Sequence, residues 1–404
     1  MATVKLVPFS HQYLRADKPL PFGLRDGSGQ LLLAAGQIVG TPERLAQLQG
    51  QPLFSGEVES AEWTRRLAAA MHAMINQGAT LNQVVAARPE AEAKEARAAT
   101  PRTLQEQWDD VVLLLDSTLR DVRDGTDWRT RLGSVHDRAR ELMAKRPDAS
   151  LYHLVYAAGQ STHKYSSHHA IVSLVMSELA ASVLEWPPGE IDTLGRAALT
   201  MNVAMLRLQD QLAVSDREIT PAMRAEIDVH AVNGALQLEA AGMGDALAVD
   251  IVRAHHDDSR ATEPLAALSP ALRLARLLRR VDIFSAKISR RATRLPSSPV
   301  QAAREACLGI DGTPDEIGAA LLKAVGLYPP GSFVELACGE VGIVVARGRR
   351  ANLPFVAALV SAAGNVLGEP ALRDTLERRF AVKSAIAPHA VKVRPPHDRL
   401  MAMR

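Results

Sequence analysis

Histidine is concentrated in the middle of this chain. Seven of the twelve histidines lie between His153 and His256, and the same region contains the adjacent pairs His168-His169 and His255-His256. Imidazole nitrogens are common ligands for zinc and other transition metals. Because a single helical histidine is more often an ordinary core or surface residue, a metal site depends on the order and spacing of several of them.

The elements that must position these histidines are predicted to be helices. Residues from about 150 to 325 carry apolar side chains at three- and four-residue intervals, as in "AALTMNVAMLRLQDQLA" and "PALRLARLLRRVDIFSAKI". This periodicity is typical of amphipathic helices. Prolines punctuate the region, mostly at predicted helix starts. They are Pro187, Pro188, Pro221, Pro264 and Pro270.

The two ends of the chain differ in residue pattern from the helical region between them. The segment from Pro19 to Ser55 combines a Gly-rich turn, a short apolar run and a helix start at Thr41, which predicts a small α+β module. Beyond Gly326, "LYPPGSFVELACGEVGIVVARGRRANLPFVAALVSAAGNVL" alternates β-branched residues with glycines, which predicts a small β appendage. The final stretch, "AVKSAIAPHAVKVRPPHDRLMAMR", is expected to be a loosely held tail.

Composition excludes several classes of function. The 47 Lys and Arg residues are matched by 45 Asp and Glu residues, so no global basic field favours DNA or RNA as a partner. No apolar stretch reaches the roughly 20 residues of a membrane span, and the first residues lack a signal-peptide core. We therefore expect a cytoplasmic protein. Cys307 and Cys338 are far apart, which argues against a disulfide framework and a thiolate zinc site.

Five sequence blocks occur in a recognisable order. They are "HHAIVSLVMSELA", "RAALTMNVAM", "EIDVHAVNGALQL", "DIVRAHHDD" and "RVDIFSAKISRR". Together they resemble the successive helices of the HD-GYP branch of the HD-domain phosphohydrolases, and "LYPPGSFVELACGEVGIVV" is similar to a hairpin that often follows this domain. The resemblance spans roughly residues 165 to 345. It implies a mainly α fold, in which an all-helical HD-domain core lies between the small N-terminal α+β module and the small C-terminal β appendage.

The same resemblance assigns roles to individual residues. The positions that match the family's metal ligands are His168, His230, His255, His256 and Asp282. Arg291 matches an arginine that is expected to face a substrate phosphate. These roles are carried over from the family and do not follow from spacing alone.

Two motifs of the family are missing. Its defining His-Asp dyad aligns with Met201 and Asn202, and its Gly-Tyr-Pro signature is replaced by "DDSRATEPLAALSP" after His256. A binuclear phosphodiesterase needs a carboxylate shared between two cations, because the cations repel each other and together generate the attacking hydroxide. Asparagine is neutral, and a methionine thioether is a soft, weak donor. The resemblance therefore implies a degenerate member of the family.

Three functions remain open. The favoured one is a catalytically inactive HD-GYP-like protein in bacterial signalling, acting as a cyclic-dinucleotide (cyclic di-GMP) receptor or as a regulator that binds a signalling protein. An alternative is a metal-dependent phosphohydrolase or phosphodiesterase with a rebuilt mononuclear site on His230, His255 and His256. A second alternative is a scaffold similar to the HDOD modules. These functions differ in their cofactor, which is one divalent ion (Zn, Mn or Fe) or none.

The predicted boundaries divide the chain into five segments. They are an α+β module at 1–58, a helical linker region at 59–148, the degenerate HD-GYP-like helical domain at 149–325, a β hairpin appendage at 326–368, and a C-terminal helix with a flexible tail at 369–404. The amphipathic stretch from Leu104 to Lys145 is predicted to pair two copies into a homodimer.

Overall fold

Helices make up most of the chain that the structure describes. The computed structural model describes residues 6–11, 14, 16, 20, 22–57, 60–61, 63–64, 102–293, 295–308 and 314–403. The predicted mainly α fold class is confirmed. Much of the predicted helical linker region lies outside the described residues, so that prediction is untested.

A four-stranded antiparallel sheet forms the N-terminal module. The strands are β1 (Leu6–Phe9), β2 (Leu24–Arg25), β3 (Leu31–Leu33) and β4 (Leu53–Gly56), in the spatial order β1-β4-β2-β3. Helix α1 (Pro42–Gln49) begins after Thr41, whose side-chain oxygen accepts a hydrogen bond from the Arg44 backbone N–H. That bond satisfies a donor that has no partner within the helix. The predicted α+β character and the helix start at Thr41 are confirmed.

Most of the remaining helices lie between residues 104 and 325. They are α2 (Leu104–Leu119), α3 (Trp128–Lys145), α4 (Pro147–Gln160), α5 (Tyr165–Val183), α6 (Pro188–Thr200), α7 (Leu206–Val214), α8 (Pro221–Ala240), α9 (Ala246–Ala254), α10 (Pro270–Ile288), α11 (Pro299–Cys307) and α12 (Glu316–Val325). Thr220, Ser269 and Ser298 cap the starts of α8, α10 and α11, and a proline follows each of them. This pairing of a capping hydroxyl with proline explains why the prolines mark helix starts.

Helix α5 is buried on nearly all sides. Most of its side chains are inaccessible to solvent, and it packs against α6, α10 and α12. A helix that is apolar around its whole circumference belongs inside a protein. Several polar groups on α5 have partners in neighbouring helices, as where Ser173 Oγ lies 3.1 Å from Ser285 Oγ of α10. Helix α5 therefore fixes the positions of the two histidines that it carries.

A five-stranded antiparallel sheet follows the helices. Its strands are β5 (Phe333–Leu336), β6 (Val341–Ala346), β7 (Phe355–Val360), β8 (Val366–Asp374) and β9 (Val382–Ile386), in the order β8-β7-β6-β5-β9. The sheet continues past residue 368, where the predicted hairpin ends. Within the segment for which the sequence predicts a C-terminal helix and a flexible tail, helix α13 (His397–Met401) buries Leu400 and Met401. Tyr152 Oη lies 2.9 Å from His397 Nδ1, which ties α13 to α4.

The chain forms two compact units, Met1–Leu113 and Leu114–Arg404. The boundary falls within α2, whereas the sequence predicted boundaries at residues 58 and 148. The five-part division and the pairing of two copies remain predictions. No helix in the described part of the chain is both long and apolar enough to cross a membrane.

A hydrogen bond between α3 and α5 lies beside α6 at Gly195, which has no side chain. His136 Nε2 of α3 lies 2.5 Å from Glu178 Oε1 of α5. A Cβ atom at Gly195 of α6 would overlap both of these atoms. Glycine at this position therefore permits the contact between α3 and α5.

Replacing Gly195 by alanine is expected to destabilise the protein by about 1–3 kcal/mol, because the added methyl group must displace the hydrogen-bonded side chains of His136 and Glu178. Chemical denaturation measures this change as a lower free energy of unfolding. Gly133→Ala on α3 is the matched control, since a Cβ there meets nothing within 4 Å. The control is expected to gain about 0.5–1 kcal/mol, because alanine is favoured over glycine inside a helix. Equal stability of the two variants would contradict the argument.

Candidate metal centre

Three histidines from two neighbouring helices meet at one point. His230 belongs to α8, and His255 and His256 follow the last residue of α9. One ring nitrogen from each lies within 4.8 Å of the corresponding atoms of the other two. His230 and His255 are buried, whereas His256 is exposed. The structure thus brings together three of the five predicted metal ligands.

Backbone carbonyls fix the orientation of the two buried rings. His230 Nδ1 lies 2.5 Å from the carbonyl oxygen of Ile227, and His255 Nδ1 lies 2.6 Å from that of Val252. A carbonyl oxygen can only accept a hydrogen bond, so Nδ1 of each ring must carry the proton. Each neutral ring therefore presents an unprotonated Nε2. Metal-binding histidines are commonly oriented by a hydrogen bond of this kind from the other ring nitrogen.

The two Nε2 atoms face each other. His230 Nε2 and His255 Nε2 are 3.3 Å apart. Burial, reinforced by the charge of His256, lowers the pKa of His255 to about 3, so this ring does not hold a bridging proton at neutral pH. With both rings neutral, two lone pairs meet at this distance, and a divalent ion can accept both of them. The residues present therefore fit a divalent metal ion.

The third ring, that of His256, forms a hydrogen bond with an arginine that the sequence analysis did not identify. Arg279 of α10 donates a hydrogen bond through Nη1 to His256 Nδ1, and its Nη2 lies 3.5 Å from Asp258 Oδ2. A guanidinium group has no acceptor, so Nδ1 of His256 accepts and its neutral ring carries the proton on Nε2. Partial burial lowers the pKa of His256 to about 4.

Asp282, another predicted metal ligand, forms a hydrogen bond with His169. His169 Nε2 lies 2.8 Å from Asp282 Oδ1. Burial alone raises the pKa of Asp282, but the hydrogen bond and charge of His169, with the charges of His255 and His256, hold it well below its usual range. Adjacent residues of a helix point about 100° apart, so only one member of the pair on α5 can face α10. His169 therefore lies beside Asp282, and the assignment of His168 as a metal ligand remains a prediction.

His168 lies in different surroundings. Its Nδ1 is buried and has no hydrogen-bond partner among the described residues. Burial, followed by the charges of His163 and Lys164, lowers its pKa to about 4. Lys164 Nζ lies 3.0 Å from Asp116 Oδ2, so the charged groups at this end of α5 form a network around that carboxylate. His168 does not belong to the three-histidine group.

Arg291 lies against an aromatic ring. Its Nη2 donates to Tyr165 Oη at 2.9 Å, and its guanidinium carbon is 4.8 Å from the centre of the same ring. The Tyr165 ring in turn stacks on the His169 ring, with centroids 5.8 Å apart and planes 9° apart. Tyr165 and His169 were missed by the sequence analysis, although their i, i+4 spacing on a helix places them on one face. The predicted contact of Arg291 with phosphate remains a prediction.

Met201 and Asn202 lie in a buried turn between α6 and α7. A Cβ at Gly234 would lie 3.7 Å from the Met201 carbonyl oxygen and 3.5 Å from Val252 Cγ1. Gly234 follows His230 by one helical turn and Val252 precedes His255 by three residues, so this turn packs beside the three-histidine group. Among the described residues, no Asp or Glu carboxylate lies within 4.8 Å of all three ligand nitrogens.

Comparison with known proteins supports the resemblance seen in the sequence. No family model matches the chain. The cyclic di-GMP phosphodiesterase PA4108 of Pseudomonas aeruginosa is 26% identical over 210 residues, which are 51% of this chain and 51% of the relative. The chain thus spans about half the length of this relative. A solved structure titled "Bd1817, a HDG"Y"P protein from Bdellovibrio bacteriovorus" aligns with a TM-score of 0.44 and 15% identity, over 78% of this chain and 98% of that chain.

Buried histidines make the stability of the metal-free protein sensitive to acid. Burial lowers the pKa of His153 to about 3, as it does for His255. Unfolding returns such a histidine to a pKa of about 6.5, so the unfolded state binds the extra proton. Its contribution to stability is therefore complete above about pH 6.5 and is lost as the pH falls towards 3. Each such histidine lowers the free energy of unfolding by up to about 1.4 kcal/mol per pH unit.

Replacing His153 by glutamine is expected to make this pH dependence shallower by about one proton between pH 6 and 4. Urea unfolding at a series of pH values, in a metal chelator, measures the slope. The exposed His389 provides the control, because it is in contact with solvent in the folded protein. His389→Gln should retain the slope of the wild type. An unchanged slope in His153→Gln would show that burial does not suppress protonation at this site.

Proposed function

We propose that this chain, a relative of the HD-GYP phosphodiesterases, is a signalling receptor that binds cyclic di-GMP at one metal ion without hydrolysing it efficiently. One observation carries the proposal. Two buried imidazoles present facing Nε2 atoms 3.3 Å apart, with a third imidazole beside them and no described carboxylate shared by the group. Such a set suits a single ion and lacks what a pair of ions needs.

The chain's own residues support binding of one ion. The carbonyl oxygens of Ile227 and Val252 hold His230 and His255 with their lone pairs turned inward. The ionised Asp282, kept charged by His169, adds negative charge near the histidines. A divalent ion on three imidazoles supplies a positive charge and an open coordination position that a phosphate oxygen can occupy. Cyclic di-GMP carries two phosphodiester groups of the kind that such a position accepts.

The loss of efficient hydrolysis is inferred from Asn202. In binuclear sites the ions are about 4 Å apart, and two dications at that distance repel by on the order of 16 kcal/mol at an effective dielectric constant near 20. A shared carboxylate offsets much of this repulsion, whereas the neutral amide of Asn202 does not. Met201, in the adjoining dyad position, offers only a soft thioether. The second ion therefore has no adequate site.

One alternative is favoured by the same geometry. Three imidazoles with a free fourth position are also the ligand set of catalytic mononuclear zinc sites. A phosphodiesterase or other phosphohydrolase with one ion would then replace the receptor. A scaffold similar to the HDOD modules is less well supported, because it gives no role to the inward-facing nitrogens of His230 and His255.

The purified protein is expected to contain about one divalent ion per chain, to bind cyclic di-GMP in a calorimetric titration, and to show no measurable turnover with Mn, Fe or Mg. His255→Ala should lose both the ion and the binding, whereas the exposed control His389→Ala should keep both. Steady turnover that His255→Ala abolishes would instead establish the mononuclear enzyme. A metal-free protein that binds a signalling partner regardless of His255 would establish the scaffold.

Restoring the dyad tests the inferred cause of inactivity. Met201→His combined with Asn202→Asp is expected to raise the metal content from about one to about two ions per chain and to introduce hydrolysis of cyclic di-GMP. Asn365→Asp controls for the added charge, because this asparagine is exposed in the turn between β7 and β8. If the double variant folds normally and still binds one ion without turnover, Asn202 is not the bridging position.

A further inference from the structure

A cavity of about 260 Å³ lies where the end of α12 meets the loop between β6 and β7. We call it the basic pocket, and its polar wall is formed by Lys323, Tyr328, Arg347, Arg349 and Arg350. It belongs to none of the elements that carry the three histidines. None of the described residues that line it is acidic.

One cation of the basic pocket is held in place. Arg347 Nε donates to Asp148 Oδ1 at 2.5 Å, and its Nη1 donates to the Ala324 carbonyl oxygen at 2.7 Å. Asp148 therefore balances the charge of Arg347. A guanidinium group has five N–H donors, and these two bonds leave others available on a side chain that is already positioned.

The other three cations are not balanced. The side chains of Lys323, Arg349 and Arg350 form no hydrogen bond or ion pair with any residue that the structure describes, and all three are exposed. The simplest account of them is compensation of the α12 dipole, whose C-terminal end carries about half a negative charge. Three cations exceed that charge several times over. The helix dipole therefore does not account for all three cations, and they are available to an anionic ligand.

The lining and the volume of the basic pocket limit the kinds of ligand that it can hold. Leu322, Pro354 and the ring of Tyr328 form an apolar wall, and Tyr328 packs against the buried core of the C-terminal sheet. Typical small-molecule pockets have volumes of roughly 300–1,000 Å³, so this one suits a compact molecule. An arginine fork binds phosphate oxygens through two parallel hydrogen bonds, and a phosphate monoester carries about −1.5 to −2 charges near neutral pH.

We propose that the basic pocket binds a small organic phosphate, a phosphate monoester attached to a compact ring as in a nucleoside monophosphate. Arg347, Arg349, Arg350 and Lys323 contact the phosphate, and the ring lies against Tyr328, because aromatic side chains stack on flat rings with little sequence preference. This site is separate from the three-histidine group, so it does not depend on the function proposed above.

The test uses AMP as the probe and the full-length protein in EDTA, which removes any ion from the histidines. Calorimetric titration of the wild type should show binding, and Arg349→Gln combined with Arg350→Gln should weaken it about tenfold or more. The control combines Arg207→Gln with Arg224→Gln, which removes two exposed arginines from α7 and α8. It should bind AMP as the wild type does. His255→Ala should also bind normally.

Two further measurements locate the ligand and identify its chemistry. Hydrogen exchange should show protection by AMP in residues 319–328 and 347–354, which remains informative if a variant folds poorly. Inorganic phosphate and adenosine should each bind more weakly than AMP. Absence of AMP binding, equal affinity for inorganic phosphate, or loss of binding only in His255→Ala would each overturn the proposal.

Discussion

The candidate site depends on two imidazole rings that the backbone forces to face each other. Each ring donates a hydrogen bond from Nδ1 to a carbonyl oxygen three residues earlier in its own helix segment, so the neutral forms of His230 and His255 both turn an unprotonated Nε2 toward each other. The packing of α8 on α9 holds these two atoms 3.3 Å apart. Burial opposes protonation of His255, which leaves its Nε2 lone pair available to a cation.

The negative charge that acts on the histidines comes from Asp282, with a smaller effect of Asp258 on His256. Helix α10 contributes Asp282, whose ionised form is maintained by His169 against the cost of burial. The turn after α6, which packs beside the histidines, contributes Met201 and Asn202, and neither carries a charge.

Periodicity and helix punctuation predicted much of the fold. The helical core, the cap at Thr41 and the C-terminal sheet could all be predicted, because apolar spacing and capping chemistry are local properties of a sequence. Strand β8 could not be predicted, since its residues are largely exposed or half-exposed and show no alternation of burial. A C-terminal helix was predicted, but the burial of helix α13 was not, because its few apolar side chains become buried only through contact with distant parts of the chain.

The site was predicted less completely than the fold. The pair His255 and His256 stood out because both residues lie at one helix end, where neighbours in sequence remain neighbours in space. The sequence could not predict which of His168 and His169 lies beside Asp282, because this depends on how α5 is rotated against α10. The contact of Arg279 with His256 could not be predicted for a similar reason, since the distance between them is set by the packing of α9 on α10.

The contact between Arg279 and His256 makes His256 differ from the other two histidines as a potential metal ligand. In their neutral forms, His230 and His255 present Nε2 lone pairs to each other, because the backbone carbonyls of Ile227 and Val252 accept the hydrogen bonds from Nδ1. His256 shares its Nδ1 with a long and rotatable side chain, and regains that atom only when the guanidinium turns to another acceptor. His230 and His255 are therefore already oriented as ligands. His256 can offer its Nδ1 as a ligand only when the Arg279 side chain has turned away from it.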